Sequence, residues 1–167
     1  MKRTLLLGAL ALVSALGIAA AADAAIGITA SPASVTAPAV TLSGDDQTTT
    51  WSVTLTISSV TKALGYNVTA WAPLPASGSS TLGGLTVDSA PTLSCTQGGC
   101  TTGTNSVTTY PVALGTTSGT AAKILGATVN TANKNQQAVV AFTVPVTADE
   151  LPGTYTTTVT LIAADGP

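Results

Sequence analysis

An all-β fold, an antiparallel β-sandwich of the immunoglobulin-like or Greek-key kind, is the class this sequence predicts, on three observations. Apolar and hydroxyl side chains alternate over short stretches set between Gly, Pro, Asp and Ser clusters. No stretch of the expected domain sustains the 3.6-residue periodicity of a helix. Threonine supplies about one residue in five, and its branched Cβ suits the solvated face of a pleated sheet. Together these predict about eight short strands closed over one core.

The chain opens on Met1-Lys2-Arg3, an apolar run over residues 4–22 and then Ala22-Asp23-Ala24. A basic start, a Leu/Ala-rich centre and a small-x-small end mark a secretory signal. Residues 1–24 are therefore expected to be removed and residues 25–167 to form one domain. The run approaches the length of a membrane span, but its position and cleavage pattern favour a signal. No membrane span is expected once it is gone, and no cysteine follows the cleavage site to take a lipid. The remaining 143 residues suffice for one core that buries about two-thirds of the unfolded surface.

Along the domain, weak strand patterns fall at residues 34–42, 64–72, 85–93, 106–114 and 123–131. Three patterns are clear. Trp51, Val53, Leu55 and Ile57 alternate with Ser52, Thr54 and Thr56; Val140, Phe142, Val144 and Val146 alternate with Ala141, Thr143 and Pro145; and Tyr155, Thr157, Val159 and Leu161 share one parity in the last strand. Pro145 cannot donate to a ladder, so an edge or a bulge is expected there. Breakers stand at Ser43-Gly44-Asp45-Asp46, at residues 73–80, at Gly98-Gly99, at residues 115–119 and at Leu151-Pro152-Gly153. The apolar segment 25–40 is left as a candidate for pairing in its own domain or with another chain.

Charge excludes two partner classes. The mature domain carries Lys62, Lys123 and Lys134 against Asp45, Asp46, Asp88, Asp149, Glu150 and Asp165, a net of −3. Nothing concentrates positive charge for phosphate binding, so nucleic acid is excluded, and anionic membrane surfaces with it. Cys95 and Cys100 are the two cysteines; in an exported chain they are expected to form one disulfide closing a tight loop. The four-residue gap is not a Cys-x-x-Cys redox motif, and no histidine exists to complete a metal site.

Catalytic chemistry finds little material. Histidine is absent, which removes the usual general base near neutral pH. Asp45-Asp46 and Asp149-Glu150 are adjacent turn residues, unlike the two carboxylates that face one another across a glycosidase cleft, and they lack the spacing of a calcium loop. Ser59-Val60-Thr61-Lys62 matches Ser-x-x-Lys, but the Ser-Asp-Asn and Lys-Thr-Gly partners of penicillin-recognising enzymes do not occur. Leu151-Pro152-Gly153-Thr154 approaches a sortase signal, with Tyr155 where that signal needs glycine. Asn67-Val68-Thr69 has the form of a glycosylation sequon. No catalytic residue, metal ligand or cofactor is assigned, and the chain is read as a non-enzyme.

The aromatics remain. Trp51 lies on the apolar parity of its strand and is expected in the core. Tyr66, Val68, Ala70 and Ala72 share one parity, which leaves Trp71 on the face of Asn67 and Thr69, just before a Pro-rich loop. Trp71 is thus the best single candidate for a contact residue.

The chain end, Tyr155-Thr156-Thr157-Thr158-Val159-Thr160-Leu161-Ile162-Ala163-Ala164-Asp165-Gly166-Pro167, resembles the C-terminal motif of WxL-domain surface proteins, bacterial proteins held non-covalently on the cell wall. That motif runs as a tyrosine, a Thr-rich strand, Trp-x-Leu and an Asp-Ala-Pro-like end. Tyr155, Thr158, Thr160, Asp165 and Pro167 fall in register with it, and Gly65-Tyr66-Asn67-Val68-Thr69 sits where the family has its first Gly-Trp-x-Leu element. Tyr66 and Val68 replace the first Trp and Leu; Leu161 and Ala163 replace the second pair. The resemblance implies a secreted, extracellular or cell-wall-associated protein, with peptidoglycan or another envelope protein as partner and Tyr66, Trp71 and Tyr155 as surface contacts. The alternatives are a fimbrial or spore-coat-like subunit that self-associates by strand addition, and a small carbohydrate-binding module.

Overall fold

The computed structural model describes residues 27–31, 35–38, 40–42, 47–58, 65–95, 102–127, 135–147 and 149–165. The expected signal (1–24), Asp45, Asp46, Ser59, Lys62, Cys100, Lys134 and Pro167 lie outside them. The strands are β1 (Gly27–Ser31), β2 (Val35–Thr36), β3 (Val40–Thr41), β4 (Gln47–Ser58), β5 (Tyr66–Trp71), β6 (Ala76–Ser77), β7 (Ser80–Thr81), β8 (Thr86–Val87), β9 (Thr92–Cys95), β10 (Val112–Ala113), β11 (Ala122–Ala127), β12 (Asn135–Val146), β13 (Thr154–Tyr155) and β14 (Thr158–Asp165). One 3-10 turn, Ser118–Thr120, is the helical exception. The fold is all-β, as the alternation predicts.

Two sheets make the sandwich. The larger runs β1-β4-β12-β8-β10, with β9 also against β12; the smaller runs β11-β5-β14-β2, and all their strand pairings are antiparallel. The long β4–β12 ladder sets the core register: Trp51 stands opposite Phe142, Val53 opposite Val140, and Leu55 opposite Ala138. Every second side chain therefore points inward. Leu55, Ile57, Val140 and Phe142 are fully buried, while Ser52 and Thr54 on the alternate parity are exposed. Each such burial removes about 1.5–3 kcal/mol of unfavourable hydration. From the smaller sheet Tyr66, Val68, Ala70 and Val159 face the same core.

The edges are closed in different ways. Pro145 sits opposite Thr48, beyond the stretch of β12 that pairs with β8, so its missing N–H breaks no ladder on that side. β2 is only two residues long, and Ala37 N–H continues its edge by donating to Thr157 O at 3.0 Å. β11 is covered by the loop before it: Ser106 N–H donates to Gly126 O at 2.5 Å, and Asn105 bridges to Ala127. The segment left open in the sequence is resolved in part, since β1 pairs with β4 of its own chain over five residues.

Several strands differ from expectation. Residues 85–93 split into β8 and β9 around Pro91, and each half pairs with β12 in turn. Residues 106–114 yield only β10; upstream of it, side chains replace the ladder, with Asn105 Nδ2 donating to Tyr110 Oη at 2.9 Å and Tyr110 Oη–H donating to Ile124 O at 2.8 Å. Residues 73–80 contain the start of a hairpin, β6–β7, with Gly78 at φ 61° in its two-residue turn, a backbone conformation that favours glycine.

Tyr155 turns the chain into the last strand. Its ring is 1% exposed and its hydroxyl donates to Leu151 O, four residues back, at 2.7 Å. A tyrosine bonded to backbone a few residues upstream is the tyrosine corner of Greek-key sandwiches. Tyr155→Phe is expected to lower the unfolding free energy by about 1 kcal/mol, the worth of one hydrogen bond whose acceptor water can reclaim. A urea titration showing an unchanged midpoint would contradict this role.

Candidate functional site

The two segments that resemble WxL proteins are neighbours in space. β5 and β14 pair antiparallel, with Trp71 opposite Thr160, Ala70 opposite Leu161, Val68 opposite Ala163 and Tyr66 opposite Asp165. Tyr66 and Val68 are fully buried, and Leu161 and Ala163 share their inward register. The positions that replace the family's Trp and Leu thus belong to the core face of the smaller sheet.

This corrects two of the three expected contacts. Tyr66 has no exposed surface; its hydroxyl donates to Gln136 Oε1 at 3.0 Å, across the gap between the sheets. Burial pushes its pKa up to about 12. Tyr155 is occupied by the corner described above. Neither ring is available to a partner, because both lie on the parity that packs. Trp51 follows its expected parity, with its ring centroid 5.7 Å from that of Phe142.

Trp71 lies on the opposite parity, as expected, and is partly exposed. Its Nε1 is shielded from solvent and has no hydrogen-bond partner, so the surface it shows outside is hydrocarbon. Gly115 runs beside it, and Ala72 N–H donates to Gly115 O at 3.0 Å. A Cβ on Gly115 would overlap the carbonyl of Thr120, so only glycine lets this turn fold against the strand.

The rest of that outward face follows from the register. Asn67 and Thr69 stand on β5, with Thr160, Ile162 and Ala164 beside them on β14. Ile162 is 45% exposed, and Asn67 Oδ1 is shielded without a partner. On β11, Lys123 stands opposite Thr69 and Gly126 opposite Asn67, with a bulge between Lys123 and Leu125. A Cβ on Gly126 would lie 2.7 Å from Lys123 Cε and 2.9 Å from its Nζ, so the lysine arm lies across that glycine. Lys123 entered the sequence reading only as a charge; the bulge that sets its neighbours has no sequence signature.

The other expected features are scattered. Cys95 ends β9 and is not a free thiol, while Cys100 is outside the described residues. Asp149 and Glu150 lie in a turn where Glu150 N–H donates to Thr147 O at 3.2 Å. Among the described residues no three His, Cys, Asp or Glu side chains gather as a metal site, and no helix is long and apolar enough to cross a membrane. No pocket forms among the described residues. No protein-family model, curated protein or solved structure matches the chain.

Proposed function

We propose that this chain is an exported, non-catalytic surface protein that associates non-covalently with the bacterial cell wall, in the manner of WxL-domain proteins. The observation that carries the reading is the β5–β14 pairing: the two segments resembling that family, far apart in sequence, form adjacent strands of one sheet. Their core-facing residues hold the sheet, and the opposite face, with Trp71 at its end, supplies the contact surface. The signal-like residues 1–24 and a Cys95–Cys100 disulfide fit an oxidising, extracellular setting. The mature domain is expected to sediment with purified cell wall. Recovery in the pellet no greater than that of an unrelated secreted β-sandwich would refute the reading. Trp71→Ala is expected to cut the pelleted fraction severalfold while lowering the unfolding free energy by no more than about 1 kcal/mol, since the ring is only partly buried.

A further inference from the structure

On the larger sheet, the outward parity of β4 reads Thr48, Thr50, Ser52, Thr54 and Thr56, and the β12 residues opposite them are Pro145, Thr143, Ala141, Val139 and Gln137. Beyond β12, Thr92 of β9 stands opposite Val139, Ser94 opposite Gln137, and Thr86 of β8 opposite Thr143. None of these positions carries a charge, and all but Gln137 have short side chains. Near the middle, Val139 is 40% exposed, between exposed Thr54 and Thr92 and two residues from half-buried Ala141. The face thus has a small apolar centre inside a surround of hydroxyls, some already paired: Thr50 and Thr143 share a hydrogen bond at 3.1 Å. Just past β8, the Asp88 carboxylate accepts from Thr86 Oγ1–H at 2.5 Å. Charges at the rim of such a patch are screened by water and salt, so the composition of its centre governs what it meets.

We propose that this face packs against the same face of a second copy of the chain, making a weak two-fold dimer. From Thr48 to Thr56 β4 spans about 27 Å, and β1, β4, β12 and β8 or β9 side by side give about 19 Å of width. A patch on the order of 500 Å² a side, about 1,000 Å² for the pair, lies at the threshold of a specific contact and in the weak, transient class. Interface centres are depleted of charged residues, and a mature domain of net charge −3 meets its own copy at least cost over an uncharged face. Two-fold pairing sets residues near the axis against their own copies; the two Val139 side chains there cover one another, ringed by Ser52, Thr54 and Thr92. Short side chains let the two sheets reach the ordinary stacking distance of about 10 Å. A sugar is the poorer occupant, because no position of this face offers an aromatic ring for it to stack on. The smaller sheets then face away from each other, so the dimer carries two Trp71 surfaces directed apart. On the wall-association reading it links two wall strands rather than gripping one twice; the dimer itself does not rest on that reading.

Sedimentation equilibrium of the mature protein without cell wall, from about 5 to about 500 µM, tests the pairing, since so small a contact belongs at the micromolar end or weaker. Wild type is expected to form a reversible dimer that tightens as salt rises, because salt screens the repulsion between copies of like net charge. Val139→Glu sets two carboxylates together at the axis and is expected to weaken the dimer about tenfold or more. Thr54→Glu, at an exposed position beside it, is expected to weaken it about fivefold with the urea midpoint of the parent, which separates loss of pairing from loss of fold. Leu151→Glu, exposed in the turn before β13, should leave the dimer unchanged. Wild type that stays monomeric throughout would overturn the proposal. A dimer equally tight in Val139→Glu and Thr54→Glu would overturn this face. Monomeric wild type whose recovery with cell wall falls in Val139→Glu would overturn the second copy and assign the face to the wall. A dimer in a protein that does not pellet with cell wall would support the pairing and overturn wall association alone.

Discussion

Phe142→Ala is expected to lower the unfolding free energy by about 3–5 kcal/mol, the cost of a large cavity in a closed core. Phe142 is the single phenylalanine of the chain and is fully buried. It stands in the middle of β12 with Trp51 opposite on one side and Val87 on the other, so its ring fills space between two partner strands of the same sheet and the facing sheet. A domain of this size has about 5–15 kcal/mol in hand, which makes this loss a large part of the whole. Equilibrium urea unfolding followed by tryptophan emission measures it, and Trp51 should report the vacancy directly because its ring neighbours the deleted one. Phe142→Leu is expected to recover most of the loss, since it refills part of the volume. A loss below about 1 kcal/mol for the alanine variant would mean that the two sheets do not close on this position.

The core was legible because it depends on parity alone. Alternation in residues 51–57, 140–146 and 155–161 predicts which side chains point inward, and Val53, Leu55, Ile57, Val140, Phe142, Tyr155 and Val159 are all buried. The same parity places Trp71 outward beside Asn67 and Thr69, where it is found. It also places Tyr66 with Val68 and Ala70, inward, yet the resemblance made Tyr66 a contact. Position within a motif says where a family places a residue; parity within the strand says which side of the sheet it faces, and the second governs access.

What stayed illegible was set by partners distant in sequence. Residues 135–139 include Asn135, Gln136 and Gln137, which become strand because β4 pairs with all three and β9 flanks Gln136 and Gln137 on the other side. Residues 106–111 fall in the strand expected over 106–114 but instead help cover the β11 edge, held by the Asn105 and Tyr110 side chains. The β6–β7 hairpin hid in a Pro- and Gly-containing stretch that looked like plain loop, although Gly78-Ser79 flanked by short polar strands is itself a hairpin signal. For the candidate surface, Trp71 was readable from one strand, whereas Lys123 required the register between β5 and β11.

Tyr66→Phe is expected to cost about 1–3 kcal/mol near neutral pH and to change how stability falls in alkali. The neutral cost arises because Gln136, fully buried on the facing sheet, loses the buried hydroxyl that donates to its Oε1. The alkaline effect follows from desolvation. In the unfolded chain a tyrosine ionises near pH 10, but burial holds Tyr66 neutral until about pH 12. A folded pKa above the unfolded one means that the group's contribution is complete below about pH 10 and is lost as pH rises toward about 12. The gap corresponds to a loss on the order of 3 kcal/mol. Tyr110 is shifted upward as well by burial, opposed by its hydrogen bond from Asn105, and adds a smaller slope in the same direction. Urea midpoints taken between pH 9 and 12 should therefore fall more steeply for wild type than for Tyr66→Phe, so that the gap between the two proteins narrows with rising pH. Absorbance of the phenolate should show wild type losing, only as it unfolds, a tyrosine proton that Tyr66→Phe lacks. Parallel pH profiles for the two proteins would show that Tyr66 reaches solvent in the folded chain and that the Tyr66–Gln136 bond does not tie the sheets together.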